Sequence, residues 1–181
     1  MNTMQWVSGA ALAAASMGAA ATQYATAEEA ARRCFPQATA FTDSTLQLTP
    51  DEMRAVAQAA GLPARSAAWR VMLALNGDAL LGVVVFDGVV GKYELIDYAV
   101  GIGTDGKVRN IEILSYRESH GYEVRLPAWR KQFVGKGADA KLRVGEDIAN
   151  ISGATLSTTH ITDGVRRIVA VVSTLKASGK L

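Results

Sequence analysis

The chain has 181 residues, 49% of them apolar and 20% charged, which is enough to pack the core of one compact domain and argues against a disordered segment. Its 19 basic and 17 acidic residues leave a net charge of +2, scattered without a lysine- or arginine-rich block, so the pattern speaks against nucleic-acid binding. The single cysteine, Cys34, excludes an intramolecular disulfide and any cysteine-built zinc or iron–sulfur centre. It reads as a small apolar residue buried on a helix.

Trp6 to Ala21 reads WVSGAALAAASMGAAA, an uncharged, alanine-rich stretch with the pattern of a secretory h-region, although no Lys or Arg precedes Arg32. It falls short of the about 20 strongly apolar residues of a membrane span. Residues 1–21 are therefore expected to be a signal peptide, with an Ala-x-Ala site at Ala19-Ala20-Ala21, or else a retained N-terminal anchor. Either way the protein is placed in the periplasm or on the extracytoplasmic face of the inner membrane.

Thr26-Ala27-Glu28-Glu29 has capping-box spacing and opens a helix that Pro36 ends after Phe35. A strand-like stretch follows. Thr49-Pro50-Asp51-Glu52 starts a second helix, Pro50 to Ala60, closed by Gly61. The period then changes. Trp69–Leu75, Leu80–Phe86, Tyr93–Ile102 and Val108–Leu114 are β-branched or aromatic runs separated by turn signals at Asn76-Gly77-Asp78, Asp87-Gly88 and Asp105-Gly106. A polar loop, Ser115 to Arg125, leads to a short helical piece from Pro127 through Phe133. Ile161, Val165, Ile168, Val172 and Leu175 then form one apolar stripe on a long closing helix. The expected fold class is α+β, an antiparallel sheet with helices on one face. Residues 22–90 supply the first helices and strands, 91–175 the segment bearing the chemistry, and 176–181 a tail, with 22–90 and 91–175 expected to form one unit.

The chemistry-bearing residues lie in VGEDIANISGATLSTTHITDG, from Val144 to Gly164. Ser152-Gly153-Ala154-Thr155 puts small residues around a hydroxyl directly before a helix that Ser157 or Thr158 is placed to cap. The free N–H groups of that helix would face an anion held on Thr155, an interaction of about 0.3–1 kcal/mol before hydrogen bonds are counted. By spacing alone, a capped turn is the plainer reading.

The segment resembles the flavinylation motif of the FMN-binding domain family, Asp-x-x-Ser/Thr-Gly-Ala-Thr. The family includes the covalent-flavin subunits of sodium-pumping NADH:quinone oxidoreductase and of Rnf-type complexes, and small exported proteins. The likeness continues in Tyr116-Arg117-Glu118-Ser119-His120-Gly121-Tyr122-Glu123, which stands where the family has a glutamate-containing loop, and in Pro127-Ala128-Trp129-Arg130-Lys131-Gln132-Phe133-Val134-Gly135-Lys136 after it. It runs from about Tyr93 to Val172. It implies FMN carried by phosphoester on Thr155, with Ser152, Gly153 and Ala154 as recognition context, and Glu118, Ser119, Gly121 and Tyr122 as flavin contacts. It also implies maturation by an exported flavin transferase that takes FMN from FAD with magnesium. The motif aspartate falls on Ala149, with Asp147 two residues earlier and Asn150 beside it, so non-covalent FMN is the alternative.

The implied function is an exported electron carrier with a membrane-bound redox partner. Two other readings stand beside it: an extracytoplasmic FMN-dependent reductase of a ferric chelate or quinone, and a fold-retaining non-redox binding module. Trp129 and Tyr122 are either core aromatics or flavin neighbours. Arg117, Arg125, Arg130 and Lys131 are either a solvated face or a source of charge that tunes the flavin. His120 and His160, the only histidines, have no spacing that pairs them as metal ligands, and the sequence around Thr155 is no nucleophile elbow.

Overall fold

The computed structural model describes residues 22–181; the expected export segment at 1–21 lies outside them. Six strands, β1 (Thr22–Gln23), β2 (Ala40–Gln47), β3 (Ala68–Asn76), β4 (Ala79–Val90), β5 (Leu95–Gly103) and β6 (Val108–Tyr116), form one antiparallel sheet. Their order is β1-β6-β5-β4-β3-β2. Neighbours in sequence are neighbours in space from β2 to β6; short turns join β3 to β4, β4 to β5 and β5 to β6, while a helical connection joins β2 to β3.

Local chemistry sets the first two helices. In α1 (Ala27–Cys34) the Thr26 hydroxyl accepts from Glu29 N–H at 3.2 Å, and the Glu29 carboxylate accepts from Thr26 N–H at 2.8 Å. Thr49 and Glu52 repeat that exchange at the start of α2 (Pro50–Ala60), with Pro50 at its first position and Gly61 left-handed at its end, φ +64°. After β6 the chain makes a 3₁₀ turn at Tyr122–Arg125, a single turn of α-helix, α3 (Pro127–Arg130), and a second 3₁₀ turn at Lys131–Phe133. The closing helix, α4, spans Thr155–Ala177.

The α+β class and the antiparallel sheet are as expected, but the helices do not share one face. Successive strand residues point to opposite sides. Val71, Val83, Val85, Val100 and Ile111 belong to the main core with α2 and α4. Met72, Ala74, Val84 and Ala99 form a second cluster with Ala30, Ala31, Cys34 and Phe35 of α1. α1 fits there because Gly101 leaves room: a Cβ on it would stand 2.6 Å from the Cys34 Cβ. The stripe Ile161, Val165, Ile168, Val172, Leu175 is fully buried, gaining roughly 1.5–3 kcal/mol per large side chain before entropy is counted. Val169 and Ala170 are buried as well, because α2 flanks α4 and Arg166 donates to the Ala60 carbonyl at its end.

A second correction concerns Asp87-Gly88, which is not a turn. β4 continues through it to Val90, with Asp87 opposite Tyr98 and Gly88 opposite Asp97. The Asp87 carboxylate accepts from the Tyr98 hydroxyl at 2.7 Å, so a cross-strand partner overrides a turn-forming dipeptide. The reversal comes at Gly91–Glu94, closed by Gly91 N–H to the Glu94 carbonyl at 2.8 Å. Tyr93, expected in a strand, therefore sits at the tip of a turn.

Candidate functional site

α4 begins at Thr155, ahead of both residues expected to cap it. Gly153 takes a left-handed φ of +80°, Ala154 N–H closes a turn on the Ile151 carbonyl at 3.0 Å, and Thr155 is the first helical residue. The N-cap position is Ala154, which has no side chain to cap with, so the expectation that Ser157 or Thr158 caps the helix is not met. Both are buried inside the first turn. The first intrahelical bond runs from Thr158 N–H to the Ala154 carbonyl, 3.0 Å, which leaves the N–H groups of Thr155, Leu156 and Ser157 without intrahelical acceptors. The side chain of Thr155 is exposed beside them.

The Thr155 hydroxyl has one hydrogen-bond partner among the described residues: Asn150 Nδ2 donates to its Oγ1 at 3.1 Å. Asn150 is held in turn by Thr158, whose hydroxyl lies 2.7 Å from Asn150 Oδ1 and also close to the carbonyls of Thr155 (2.9 Å) and Ala154 (3.2 Å). The segment before the motif is anchored from behind. Trp129, buried edge-on against Phe133, donates its indole N–H to the Ala149 carbonyl at 2.8 Å, and Gln132 Oε1 accepts from Ala149 N–H at 2.7 Å. Trp129 is thus a core aromatic that supports the motif's backbone.

Opposite Thr155 stands the loop after β6. Glu118 Oε1 accepts from Tyr93 N–H at 2.7 Å and Glu94 N–H at 3.0 Å, tying the loop to the β4–β5 turn. Burial works to raise the Glu118 pKa, but the backbone N–H groups of Glu94, Tyr93 and Lys92 outweigh it and hold the carboxyl below its ordinary value. Gly91 permits the approach, since a Cβ there would lie 2.5 Å from Glu118 Oε1. Tyr116 makes a second tie: its buried hydroxyl donates to the His120 carbonyl and lies 3.4 Å from Ser157 Oγ on α4. Burial pushes the Tyr116 phenol up, so it remains a neutral donor.

Between these walls is an open cleft of about 460 Å³, lined by Lys92 and Tyr93 from the turn, Glu118, Ser119 and His120 from the loop, and Gly153, Thr155, Leu156 and Ser157 from the motif and α4. That volume falls in the about 300–1,000 Å³ range of small-molecule sites. Of the residues singled out from sequence, Thr155, Gly153, Glu118 and Ser119 meet in this cleft. Ala154 and Gly121 pack against each other behind it. Ser152 is exposed outside its walls, and Tyr122, 55% exposed, is not among them and has the Arg125 guanidinium 5.9 Å from its ring. Arg125 itself lies 3.9 Å over the Tyr24 ring, and Arg130 pairs with buried Glu112, so neither belongs to the cleft.

Lys92, Tyr93 and Leu156 were not singled out, and His120 and Asn150 were named from sequence without a place in the site. The signal for the first two was Val89-Val90, which prolongs the β-branched run past Gly88 to a Gly-Lys-Tyr-Glu turn. Tyr93 is 74% exposed with the Lys92 ammonium 4.8 Å from its ring centroid, a flat face and a cation at the cleft's rim.

The chemistry of this donor set suits a flavin nucleotide. A phosphate finds an exposed hydroxyl, three free amides at the positive end of a helix, and a glycine with no atom within 4 Å of where its Cβ would be. A planar ring finds Tyr93 and Leu156. Among the described residues no group of three or more His, Cys, Asp or Glu is placed to hold a metal, and none of the helices is long and apolar enough to cross a membrane. His160 has its Nδ1 2.5 Å from the Val90 carbonyl and makes no hydrogen bond to Thr155.

Comparison with known proteins agrees with the geometry. Residues 91–170 match the family model described as FMN-binding domain, from the turn at Gly91 to the middle of α4. No curated protein sequence matches the chain.

Proposed function

With residues 91–170 belonging to the FMN-binding domain family, we propose that this protein carries FMN covalently on Thr155 and serves as an electron carrier outside the cytoplasm. One observation carries the reading: Thr155 stands exposed at the first position of α4, in a cleft whose far wall is the Glu118 loop. When bound, FMN supplies the electron-transfer chemistry; the protein contributes orientation and electrostatics. The helix amides and Thr155 hold the phosphate end. Lys92 contributes positive charge at the rim, and Tyr93 and Leu156 offer faces for the ring. Glu118 spends its charge on the turn amides and so keeps the cleft walls in register.

Attachment requires a flavin transferase, FAD and magnesium. Thr155 Oγ1 attacks the flavin-side phosphorus of FAD, a phosphoester bond forms, the bond to the adenylate phosphate breaks, AMP leaves, and the hydroxyl proton passes to a base. Export is supported by the alanine-rich pattern at Trp6 to Ala21. A membrane-bound redox partner is part of the same proposal.

The test is intact mass of the exported protein from cells with and without the transferase. The expected result is a mass increment of one FMN, and flavin fluorescence that stays with the denatured polypeptide, both abolished by Thr155→Val. Free FMN released on denaturation, with no mass increment, would replace covalent by non-covalent binding. A colourless protein would leave the non-redox module. Slow turnover of ferric chelates and quinones by the reduced protein is expected of a carrier and would be fast in a reductase.

A further inference from the structure

Resting on the flavinylation reading above, we propose that Asn150 is the residue that positions the Thr155 hydroxyl for transfer, in place of the aspartate that this chain lacks at Ala149. The nearby carboxylate is committed elsewhere. Asp147 accepts from Leu142 N–H at 3.1 Å and Arg143 N–H at 2.8 Å and pairs with Lys136 Nζ at 3.1 Å. Ala149 has no polar side chain, and both of its backbone polar groups are taken, by Gln132 and Trp129.

Asn150 alone reaches the acceptor. Its amide bridges two hydroxyls, Thr155 Oγ1 at 3.1 Å and Thr158 Oγ1 at 2.7 Å, across the left-handed turn at Gly153. Thr158 is fully buried, so the Asn150 end of the bridge is fixed to the helix core while Thr155 remains exposed to an incoming nucleotide. The bridge selects one direction for a hydroxyl that would otherwise rotate freely on an exposed side chain, which is the entropic part of a near-attack geometry.

An amide in this place orients the hydroxyl but takes no proton from it, whichever end faces Thr155. No titratable side chain hydrogen-bonds Thr155 among the described residues. The base that receives its proton as the Oγ1–phosphorus bond forms and AMP departs therefore belongs to the transferase. Asn150 is a positioning residue, and the catalytic base comes in trans.

The experiment uses the exported full chain with purified transferase, FAD and magnesium, following flavin on the polypeptide by fluorescence and intact mass. Asn150→Ala is expected to slow transfer about tenfold or more, in kcat rather than KM, with the unfolding midpoint unchanged. Asn150→Asp, whose two oxygens accept from both hydroxyls, is expected to stay within about threefold of the parent. Thr158→Val, which removes the inner anchor, should slow transfer in the same direction as Asn150→Ala. Transfer to Asn150→Ala at the parental rate, or an equal loss in the Ala and Asp variants, overturns the assignment and leaves the flavinylation reading standing. Absence of flavin on the parent protein in the same assay overturns both.

Discussion

Gly121 backs onto Ala154 so closely that a Cβ on the glycine would overlap the alanine methyl and stand 2.7 Å from the Tyr116 hydroxyl. The loop bearing Glu118 and the turn bearing Thr155 are therefore in contact through Gly121 and Ala154, behind the cleft.

Gly121→Ala should push the two walls apart. Gly121 also has φ +84°, where a side chain is strained, so the two costs add, for a loss of about 2–4 kcal/mol and reduced flavin loading. Gly153→Ala is the control. Its φ is +80°, but no atom lies within 4 Å of the new Cβ, so only the about 1–2 kcal/mol backbone cost is expected. Denaturant unfolding and the flavin-to-protein ratio of both variants check this, and an equal loss of stability in the two would refute the packing argument.

Glu118 gives the cleft a pH dependence. Its carboxyl is held below the ordinary 4.5 by the turn amides, against the opposing effect of burial, so its contribution is complete above that value and fades as pH falls through the lowered one. Glu118→Gln should remove this acid sensitivity and loosen the Gly91–Glu94 turn while leaving the sheet intact. Hydrogen exchange of the Tyr93 and Glu94 amides reads it out: they should exchange faster in the variant at neutral pH, and in the parent only under acid.

On the α1 side of the sheet, Glu112 is 4% exposed and receives Arg130, Arg33 and the Asn110 amide. Removing the carboxylate leaves Arg130, largely buried, without its ion pair, so Glu112→Ala is expected to cost about 3–5 kcal/mol. Equilibrium unfolding in urea measures it, and a loss below about 1 kcal/mol would show that the cluster is solvated in solution.

Cys34 should be chemically silent in the folded protein. It is buried at the end of α1 against the sheet, and burial first, then the nearby Glu112 charge, pushes its thiol up to about 12. A disulfide reagent at neutral pH is expected to label it only after denaturation; rapid native labelling would mean that α1 detaches.

What could be read along the chain and what could not divide by range. Both capping boxes, Gly61, the Asp105-Gly106 hairpin and the stripe from Ile161 to Leu175 were legible, because each depends on residues a few positions apart. Asp87-Gly88 misled: its turn tendency is local, whereas the partner that overrides it, Tyr98, is brought opposite only by strand pairing. The position of α1 on the second face was hidden for the same reason, since the room it needs is at Gly101.

At the site, the sequence by itself determined the hydroxyl, the small residues around it and the family likeness of the segment from about Tyr93 to Val172, all of them carried by contiguous motifs. The tertiary structure decided that Thr155 opens the helix uncapped, that Asn150 rather than a carboxylate holds it, that Lys92 and Tyr93 share its cleft, and that Tyr122 does not. The physical reason is the left-handed turn at Gly153 and the glycine contact at Gly121: backbone conformation and close approach place side chains that spacing along the chain cannot order.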